Sequence, residues 1–407
     1  MDVRIKTGQA RGCATAPPSK SCAQRLLICA ALAGRGSVVR NLPAGRDIEA
    51  VLDSIGALGT RFTCKGNIVD IHGGIEFPDG AVCPCGESGS ALRFLLPVTL
   101  LGGRRTVFSC SERLMQRGIG EYEALLPSKG IEITKTGTLI TARGRLPSGS
   151  YAVSGGVSSQ FASGLLLALP FLAEDSTLAV LPPVESRPYI DLTVNALKQF
   201  GVTEEEREPD TFWIKGGQTC RPADVTVAGD WSNAAALLAF NAVGGSVSVT
   251  GLSQSTLQAD RVFPDLLKRL NEPNAQINLS QCPDLGPILF AVAAALGRGA
   301  RFTGIRRLRF KESDRVAAMI GELSKFGIRA EARENDLRVC PGTLYAPRGS
   351  LCAHNDHRIV MALSLLCSVT GGTISEAQAV EKSFPDYFNC LRRLGLAVEE
   401  ENGAAGD

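Results

Sequence analysis

The stretch RLLICAALAGRGSVVRNL, residues 25–42, contains the pattern that predicts the fold. It reads as an apolar helix, then a short glycine-containing turn, then a strand of alternating character. Five further stretches follow the same plan, and successive starts are 52 to 74 residues apart. A plan repeated over nearly the whole chain indicates six copies of one supersecondary unit. The other five are RFLLPVTLLGGRRTVFSC (93–110), GLLLALPFLAEDSTLAVL (164–181), AALLAFNAVGGSVSVTGL (235–252), PILFAVAAALGRGARFTGI (287–305) and MALSLLCSVTGGTISEAQ (361–378).

Apolar residues cover almost every side of these six helices, so we expect the helices to be buried all round. Amphipathic helices lie between them, for example in SDRVAAMIGELSKFG, residues 313–327, where apolar side chains recur with helical spacing. Each unit therefore combines a buried helix, a surface helix and several strands. This pattern predicts an α/β protein.

Composition excludes several classes of function. The chain has 407 residues, which favours two or three domains, and a net charge of only +2, which argues against nucleic-acid or membrane binding. The N-terminal residues contain no apolar signal region, and no apolar run is long enough to span a membrane. The 13 cysteines and three histidines are not spaced as metal ligands, so we expect reduced thiols, no metal site and a cytoplasmic protein.

A polar cluster precedes each buried helix. Ser, Asp and Asn are common N-caps, so capping alone explains much of this pattern, above all in GDWSN. Lysine, glutamine, histidine and arginine are not capping residues, however, and helix N-termini attract anions. The clusters therefore predict a site for a ligand with several negative charges. They are SKS (19–21), GESGS (86–90), SSQ (158–160), GDWSN (229–233), CPD (282–284) and NDHR (355–358).

The densest cationic segment is RRLRFKESDR, residues 306–315, with five cations and two acids among its ten residues. A solvated basic face would account for Arg306 and Arg309. It accounts less well for Lys311 and Glu312, which stand directly before a predicted helix. We interpret the segment as a binding element for phosphate or carboxylate.

Eight motifs in order along the chain resemble the signature segments of the 5-enolpyruvylshikimate-3-phosphate synthases, which are enolpyruvyl transferases. The resemblance implies a two-domain inside-out α/β barrel of six βαβαββ units, three in each domain. One domain would comprise residues 1–18 plus 229–407, the other residues 19–228, and the active site would lie in a cleft between them that closes on substrate. The motifs are PPSKSCAQR, GESGSALR, RLMQRGIG, VSSQF, SRPYID, RFKESDR, NDHR and KSFPDYF.

The implied activity is that of a 3-phosphoshikimate 1-carboxyvinyltransferase of aromatic amino acid biosynthesis, a glyphosate target. The enolpyruvyl group of phosphoenolpyruvate is transferred to the 5-hydroxyl of shikimate 3-phosphate through a tetrahedral intermediate, and inorganic phosphate is released. The chemistry needs anion clamps, a base near the hydroxyl and an acid near the methylene. It implies no cofactor and no partner besides the two small-molecule substrates, and we expect a monomer.

The resemblance assigns roles to individual residues by position. Catalysis falls to Lys20, Asp284 and Glu312, and His357 has a supporting role. Shikimate 3-phosphate would contact Lys20, Ser21, Arg25, Ser158, Ser159, Gln160, Ser186, Tyr189, Asp284 and Lys311. Phosphoenolpyruvate would contact Lys20, Gly89, Arg117, Gln160, Arg315, Arg358 and Lys382.

The sequence departs from the commonest family pattern at five positions: Glu87, Phe94, Gly118, Ala259 and Arg307. None of these replaces a catalytic group. Glu87 and Gly118 put the shape of the phosphoenolpyruvate site, and hence its affinity for analogues, in question.

Three other functions stay open at this point. A UDP-N-acetylglucosamine enolpyruvyl transferase would carry Lys-Asn where this chain has Lys20-Ser21, and a reactive cysteine in the loop before Arg117, where this chain has SERLMQR. An RNA 3′-phosphate cyclase shares similar repeats but needs a nucleotide site and a catalytic histidine. A non-catalytic phosphosugar-binding protein would have no use for Asp284 and Glu312 among its cations.

Overall fold

The computed structural model describes residues 1–401 of the chain. These residues form two compact units. The first unit combines Met1–Pro17 with the chain from Gly229 onward, and the second is Pro18–Ala228. The chain therefore starts in one unit, builds the whole of the other, and then returns.

Both units are mixed α/β. The strands are β1 Asp2–Ile5, β2 Arg11–Thr15, β3 Ser37–Arg40, β4 Arg61–Lys65, β5 Ile68–Gly73, β6 Ala81–Gly86, β7 Thr106–Cys110, β8 Glu132–Thr136, β9 Leu139–Arg143, β10 Ser150–Ser154, β11 Ser176–Leu181, β12 Glu205–Glu208, β13 Thr211–Ile214, β14 Asp224–Thr226, β15 Ser246–Thr250, β16 Gln276–Asn278, β17 Ala300–Thr303, β18 Ala330–Ala332, β19 Asp336–Val339, β20 Leu351–Cys352, β21 Gly372–Ser375 and β22 Val398–Glu401. The α-helices are α1 Lys20–Ala33, α2 Arg46–Ala57, α3 Gly89–Thr99, α4 Glu112–Arg117, α5 Gly120–Leu125, α6 Ser159–Leu166, α7 Arg187–Gln199, α8 Trp231–Leu238, α9 Phe263–Arg269, α10 Gly286–Ala295, α11 Arg315–Lys325, α12 His357–Thr370 and α13 Tyr387–Arg393. Short 3-10 helices cover Pro127–Lys129, Leu169–Phe171, Ala239–Val243, Ala259–Val262, Pro283–Leu285, Arg306–Phe310 and Ala377–Lys382.

The strands of residues 1–401 form six sheets, three in each unit. Five of the sheets have four strands and share one arrangement, seen for example in β6-β7-β9-β8. There β6 is parallel to β7, and the hairpin of β8 and β9 then adds to β7 in the antiparallel direction. A buried helix joins the parallel pair, as parallel strands require a crossover connection. The sixth sheet is the parallel pair β2 and β15.

Two of the four-stranded sheets are completed by strands from distant parts of the sequence. In the second unit β14, its last strand, pairs in parallel with β3, near its beginning. In the first unit the N-terminal strand β1 lies between β21 and β22 and is antiparallel to both, with Val3 opposite Ile374 and Glu400. Strands β2 and β15, which precede the first crossing between units and follow the second, also pair with each other, so the two segments of the discontinuous unit are joined in sheets.

The apolar helices form the cores, as the sequence predicts. Every residue of α3 is buried, and α12 is buried from His357 to Ser368. In the second unit α3 packs against α1 and α6, and in the first unit α12 packs against α8 and α10. Within residues 1–401 there is no helix with the length and apolar character needed to cross a membrane.

The polar clusters of the sequence stand at the beginnings of these buried helices. Ser88, Ser158, Asp230 and Asp356 are N-caps whose side chains accept backbone N–H bonds at the starts of α3, α6, α8 and α12. Ser19 is the N-cap of α1 without such a bond. Capping is therefore part of their role, and it fixes the backbone next to the residues predicted to bind anions.

Candidate active site

Lys20 is the first residue of α1, and its ammonium is held by an acid on the neighbouring helix. Lys20 Nζ lies 2.7 Å from Asp47 Oδ2, and both side chains are 18% exposed. Asp47 belongs to the first turn of α2. The pair leaves Lys20 close to solvent at a helix N-terminus, with its direction set by a partner that sequence analysis did not identify.

Arg25 lies one turn further along α1 and is buried. Its guanidinium donates to Thr193 Oγ1 at 2.7 Å, to the Tyr189 carbonyl at 2.9 Å and to the Ser21 carbonyl at 2.7 Å. Burial lowers the pKa of Arg25 to about 10. Arg25 thus joins α1 to α7 and orients the backbone of two predicted substrate contacts, Ser21 and Tyr189. Its own contact with substrate stays a prediction.

Arg93, on α3, also links neighbouring helices, a role that the sequence did not reveal. It is 5% exposed and donates to Gln160 Oε1 at 2.7 Å, to the Arg117 carbonyl at 3.1 Å and to the Gly118 carbonyl at 2.9 Å. Its guanidinium also stacks 5.0 Å from the centre of the Phe161 ring. Arg93 therefore brings together the start of α6 and the end of α4, which carry two predicted phosphoenolpyruvate contacts.

Gly89 and Arg117 are direct neighbours. Gly89 is the first residue of α3, and a Cβ built on it would lie 3.1 Å from Arg117 Nη2. Arg117 Nη1 reaches the Glu87 carbonyl at 3.4 Å, whereas its buried Nε has no hydrogen-bond partner within residues 1–401. The absence of a side chain at Gly89 leaves the space that the Arg117 guanidinium occupies.

Five predicted contacts to shikimate 3-phosphate lie at the starts of α6 and α7, and one of them is Gln160, described above. Ser158 is the N-cap of α6, followed by Ser159 in its first turn. Ser186 precedes α7 with φ +56° and ψ +37°, a left-handed conformation that is uncommon for serine, and it is buried. Tyr189 follows in the first turn of α7, half-buried. Strained backbone of this kind is concentrated at functional sites.

In the first unit a single guanidinium holds three carboxylates. Arg315, the first residue of α11, is 1% exposed. Its Nη1 donates to Asp284 at 2.9 Å, its Nη2 to Glu312 at 2.7 Å, and its Nε to Asp356 at 2.8 Å. The structure therefore brings both predicted acid–base residues to one arginine. Arg315 orients them here, and its direct contact with phosphoenolpyruvate stays a prediction.

Lys311 also binds Asp284: the Nζ of Lys311 donates to Asp284 Oδ1 at 3.0 Å. Burial by itself would raise the pKa of Asp284, but Lys311, Arg315 and Arg358 hold it well below its usual range. Burial lowers the pKa of Lys311, although Asp284 opposes this. Asp284 is therefore ionised at neutral pH, and it accepts hydrogen bonds without taking up a proton readily.

The remaining predicted residues of this unit surround α12. Arg358 is 7% exposed; its Nη1 donates to Asn233 Oδ1 at 3.3 Å, and its buried Nε has no hydrogen-bond partner among the described residues. Lys382 Nζ donates to the Asn355 carbonyl at 2.7 Å. His357 is buried, with Nδ1 3.8 Å from Asp356 Oδ1. The asparagine side chain of Asn233 also donates to Ser383, which links α8 to the Lys382 segment.

Sequence reasoning missed four side chains of these networks: Asp47, Arg93, Asn233 and Asp356. Arg93, Asn233 and Asp356 lie inside quoted motifs, so their position was visible but their partners were not. Asp47 lies 27 residues from Lys20, in an ordinary amphipathic helix, and no local signal marks it. Among residues 1–401 no cluster of three or more His, Cys, Asp and Glu side chains is arranged to hold a metal ion.

Comparison with known proteins gives a consistent result. Residues 6–391 match the family model described as EPSP synthase (3-phosphoshikimate 1-carboxyvinyltransferase). The chain is 35% identical to the 3-phosphoshikimate 1-carboxyvinyltransferase of Clostridium kluyveri, over 98% of each protein, and 34% identical to that of Methanoculleus marisnigri, over 97% of this chain and all of the relative. The fold is similar to the 2.37 Å structure of EPSP synthase from Acinetobacter baumannii, with a TM-score of 0.80 and 24% identity, covering 98% of this chain and 100% of that one.

Proposed function

The chain belongs to the EPSP synthase family, and we propose that it catalyses the reaction for which this family is named. The 5-hydroxyl of shikimate 3-phosphate gives up its proton as its oxygen adds to C2 of phosphoenolpyruvate, and the C3 methylene takes up a proton. The tetrahedral intermediate then loses phosphate from C2, and C3 returns its proton. The products are the enolpyruvyl ether and inorganic phosphate, and no electrons are exchanged with a cofactor.

The observation that carries this proposal is the position of Arg315 between Asp284 and Glu312. The reaction needs one carboxylate at the attacking hydroxyl and another acid–base group at the methylene. The fork of a guanidinium can hold two carboxylates side by side in a fixed geometry. Asp284, kept ionised by its cations, would orient the 5-hydroxyl and stabilise the charge on its proton. Glu312, 21% exposed, would exchange the proton of the methylene.

Cations with a buried, unsatisfied donor atom support the binding of anionic substrates. Arg117 in the second unit and Arg358 in the first each have a buried Nε without a hydrogen-bond partner in residues 1–401. A buried charged donor left unsatisfied is costly, and a phosphate or carboxylate would satisfy it. We propose that Arg117 and Arg358, with Lys20 and Lys382, receive phosphoenolpyruvate, and that Ser158, Ser159 and Ser186 receive the 3-phosphate. Each unit would then contribute part of one active site.

The proposal is tested by phosphate release from phosphoenolpyruvate with two acceptors. Shikimate 3-phosphate should support turnover, and UDP-N-acetylglucosamine should not. Turnover with only the nucleotide sugar would favour the related transferase. Tight binding of both substrates without any release of phosphate would favour a non-catalytic binding protein. A cytoplasmic location and a monomeric state are part of the proposal, and sedimentation of the active protein would test the second.

A further inference from the structure

We propose that Asp260 is a positioning residue that carries an exchangeable proton and, by its charge, controls the anion affinity of Arg358 and the basicity of Asp284. This inference rests on the proposed function for its kinetic consequences. Its premise is that the buried Asp260 carboxyl is neutral over part of the range near neutral pH. This premise can be tested on the protein without substrates.

Asp260 lies against the start of α8. It lies in the 3-10 helix Ala259–Val262, is 1% exposed, and accepts a hydrogen bond from Ser232 Oγ in the first turn of α8. The preceding Gln258 fixes this position, because its side chain donates to the Gly229 carbonyl at 2.7 Å and accepts from Trp231 N at 2.9 Å. Asp260 Oδ1 is buried and has no hydrogen-bond partner among residues 1–401.

A buried carboxylate with one unsatisfied oxygen is unfavourable, and its protonated form avoids part of the cost. Burial is the main cause that raises the pKa of Asp260 to about 7, and the charges of Asp284 and Asp230 add to it. Ser232 and Arg358 act in the opposite direction. Asp260 therefore gains its negative charge near neutral pH, whereas Asp284 is ionised throughout this range.

The groups around Asp260 are those of the candidate site. Asp284 and the thiol of Cys282 face it from the 3-10 helix Pro283–Leu285 and the residue before it, and Arg358 faces it from α12. The charged residues that follow Asp260 in the chain have other partners. Arg261 donates to the Gln254 carbonyl at 3.1 Å, and Lys268 of α9 pairs with Asp265 at 3.2 Å. A change of charge at Asp260 consequently acts on Arg358 and Asp284.

The direction of the effect follows from the signs of these charges. Below pH 7 Asp260 is neutral, and the Arg358 charge is available to an anion. Above pH 7 its negative charge offsets Arg358 and raises the proton affinity of Asp284. By linkage, an anion bound at Arg358 disfavours the ionised form of Asp260, so binding should be accompanied by proton uptake near pH 7.

The test compares the pH dependence of the wild type with that of Asp260→Asn, which keeps the shape of the side chain and removes its titration. The KM for phosphoenolpyruvate should rise between pH 6 and pH 8 by a factor of up to about 10 more in the wild type than in the variant, because this is the largest change that one group with a pKa of about 7 can cause over these two pH units. A ratio of the two KM values that is the same at both pH values would overturn the proposal.

Glu204 supplies the matched control. It is a second carboxyl with a pKa raised by burial to about 7 and a buried oxygen without a hydrogen-bond partner in the described chain, but it belongs to the other unit and its charged neighbour is Lys198. Glu204→Gln should leave the pH profile of KM as in the wild type. If Asp260→Asn and Glu204→Gln alter the pH profile of KM equally, the effect reflects a general loss of stability. That result would contradict the role of Asp260.

Two further measurements keep the inference testable if Asp260→Asn folds poorly or if the proposed function fails. Ser232→Ala removes the donor that stabilises the ionised form, so it should move the midpoint of the KM profile to higher pH; an unchanged midpoint counts against the proposal. Without any turnover, the free energy of unfolding decides. The folded wild type binds more protons at Asp260 than the unfolded chain between about pH 4 and pH 7, so its stability relative to Asp260→Asn should fall as pH rises through this window. An unchanged difference would overturn the premise.

Discussion

Arg315 holds Asp284 and Glu312 in position, so substitutions that test their chemistry should keep their hydrogen bonds to this arginine. Asp284→Asn removes the charge proposed to orient the 5-hydroxyl, and Glu312→Gln removes the acid–base group proposed at the methylene, while both new side chains can still accept hydrogen bonds from Arg315. Each should lower turnover by a factor on the order of 100 or more, the scale of general acid–base catalysis. Stopped-flow or steady-state release of phosphate measures the loss.

Glu331→Gln is a suitable control for these two variants, because Glu331 is an exposed glutamate of the same unit and forms a surface ion pair with Arg329. It should retain wild-type turnover. If either Asp284→Asn or Glu312→Gln works at nearly the wild-type rate, that residue does not have the role proposed for it.

Gly89 allows a prediction about analogues. In Gly89→Ala the new methyl group would lie 3.1 Å from Arg117 Nη2, so the guanidinium must shift by a few tenths of an ångström. The KM for phosphoenolpyruvate should rise, and the inhibition constant of glyphosate, the longer molecule, should rise by a larger factor. Inhibition kinetics on the single variant measure both.

Gly120→Ala serves as the control for Gly89→Ala. Gly120 also begins a helix of the second unit, but a Cβ there meets nothing within 4 Å. It should leave both constants unchanged. Equal changes of the two constants in Gly89→Ala would contradict the steric account.

At the scale of single residues, motif positions could be predicted, but their partners could not. Lys311 and Glu312 stand out in a dense charged segment, and Ser158 stands out before an apolar helix. The pairs Lys20–Asp47 and Arg315–Asp356 join residues 27 and 41 positions apart. Pairings of this kind arise only when helices of one unit pack together, so spacing along the chain does not reveal them.

Helix α11 presents Arg315 at its first position, and its N-cap fixes that position. Asp314 Oδ1 accepts from Val316 N at 3.1 Å and from Ala317 N at 3.0 Å. Asp314→Ala should therefore lower the free energy of unfolding by about 1 kcal/mol, as loss of an N-cap does. Urea unfolding followed by circular dichroism measures this change.

Asparagine is also a good N-cap, so Asp314→Asn should retain most of the stability. The charge of Asp314 adds little, because its contact with Arg309 at 3.5 Å lies at the surface. Equal losses in the two variants would show that charge, and not capping, holds the start of α11.

At the scale of elements, the buried helices were predictable and some strand partners were not. Helices such as α3 and α12 are recognisable because they are apolar on all sides. Strand β14 has three residues, too few for a periodic signal, and its partner β3 lies about 185 positions earlier in the chain. Sequence pattern identifies a strand by alternation over several residues, so an element this short is found only through its pairing.

For the whole molecule, the mixed α/β class and the two-domain fold predicted from the repeat and the family resemblance are confirmed by the similarity to solved EPSP synthase structures. The repeat predicted six units of buried helix and strand and hence the mixed α/β class, whereas the two-domain fold was implied by the family resemblance. How the two units act together in the reaction stays a prediction.

The central claim is that this chain transfers the enolpyruvyl group and leaves the 3-phosphate of the acceptor intact. Phosphorus-31 NMR of the protein with shikimate 3-phosphate and phosphoenolpyruvate tests it most directly. We expect the phosphoenolpyruvate signal to be replaced by an equal amount of inorganic phosphate, while one sugar phosphate signal remains throughout and moves to the position of the product. Loss of the sugar phosphate signal, or inorganic phosphate formed from phosphoenolpyruvate without the acceptor, would contradict it.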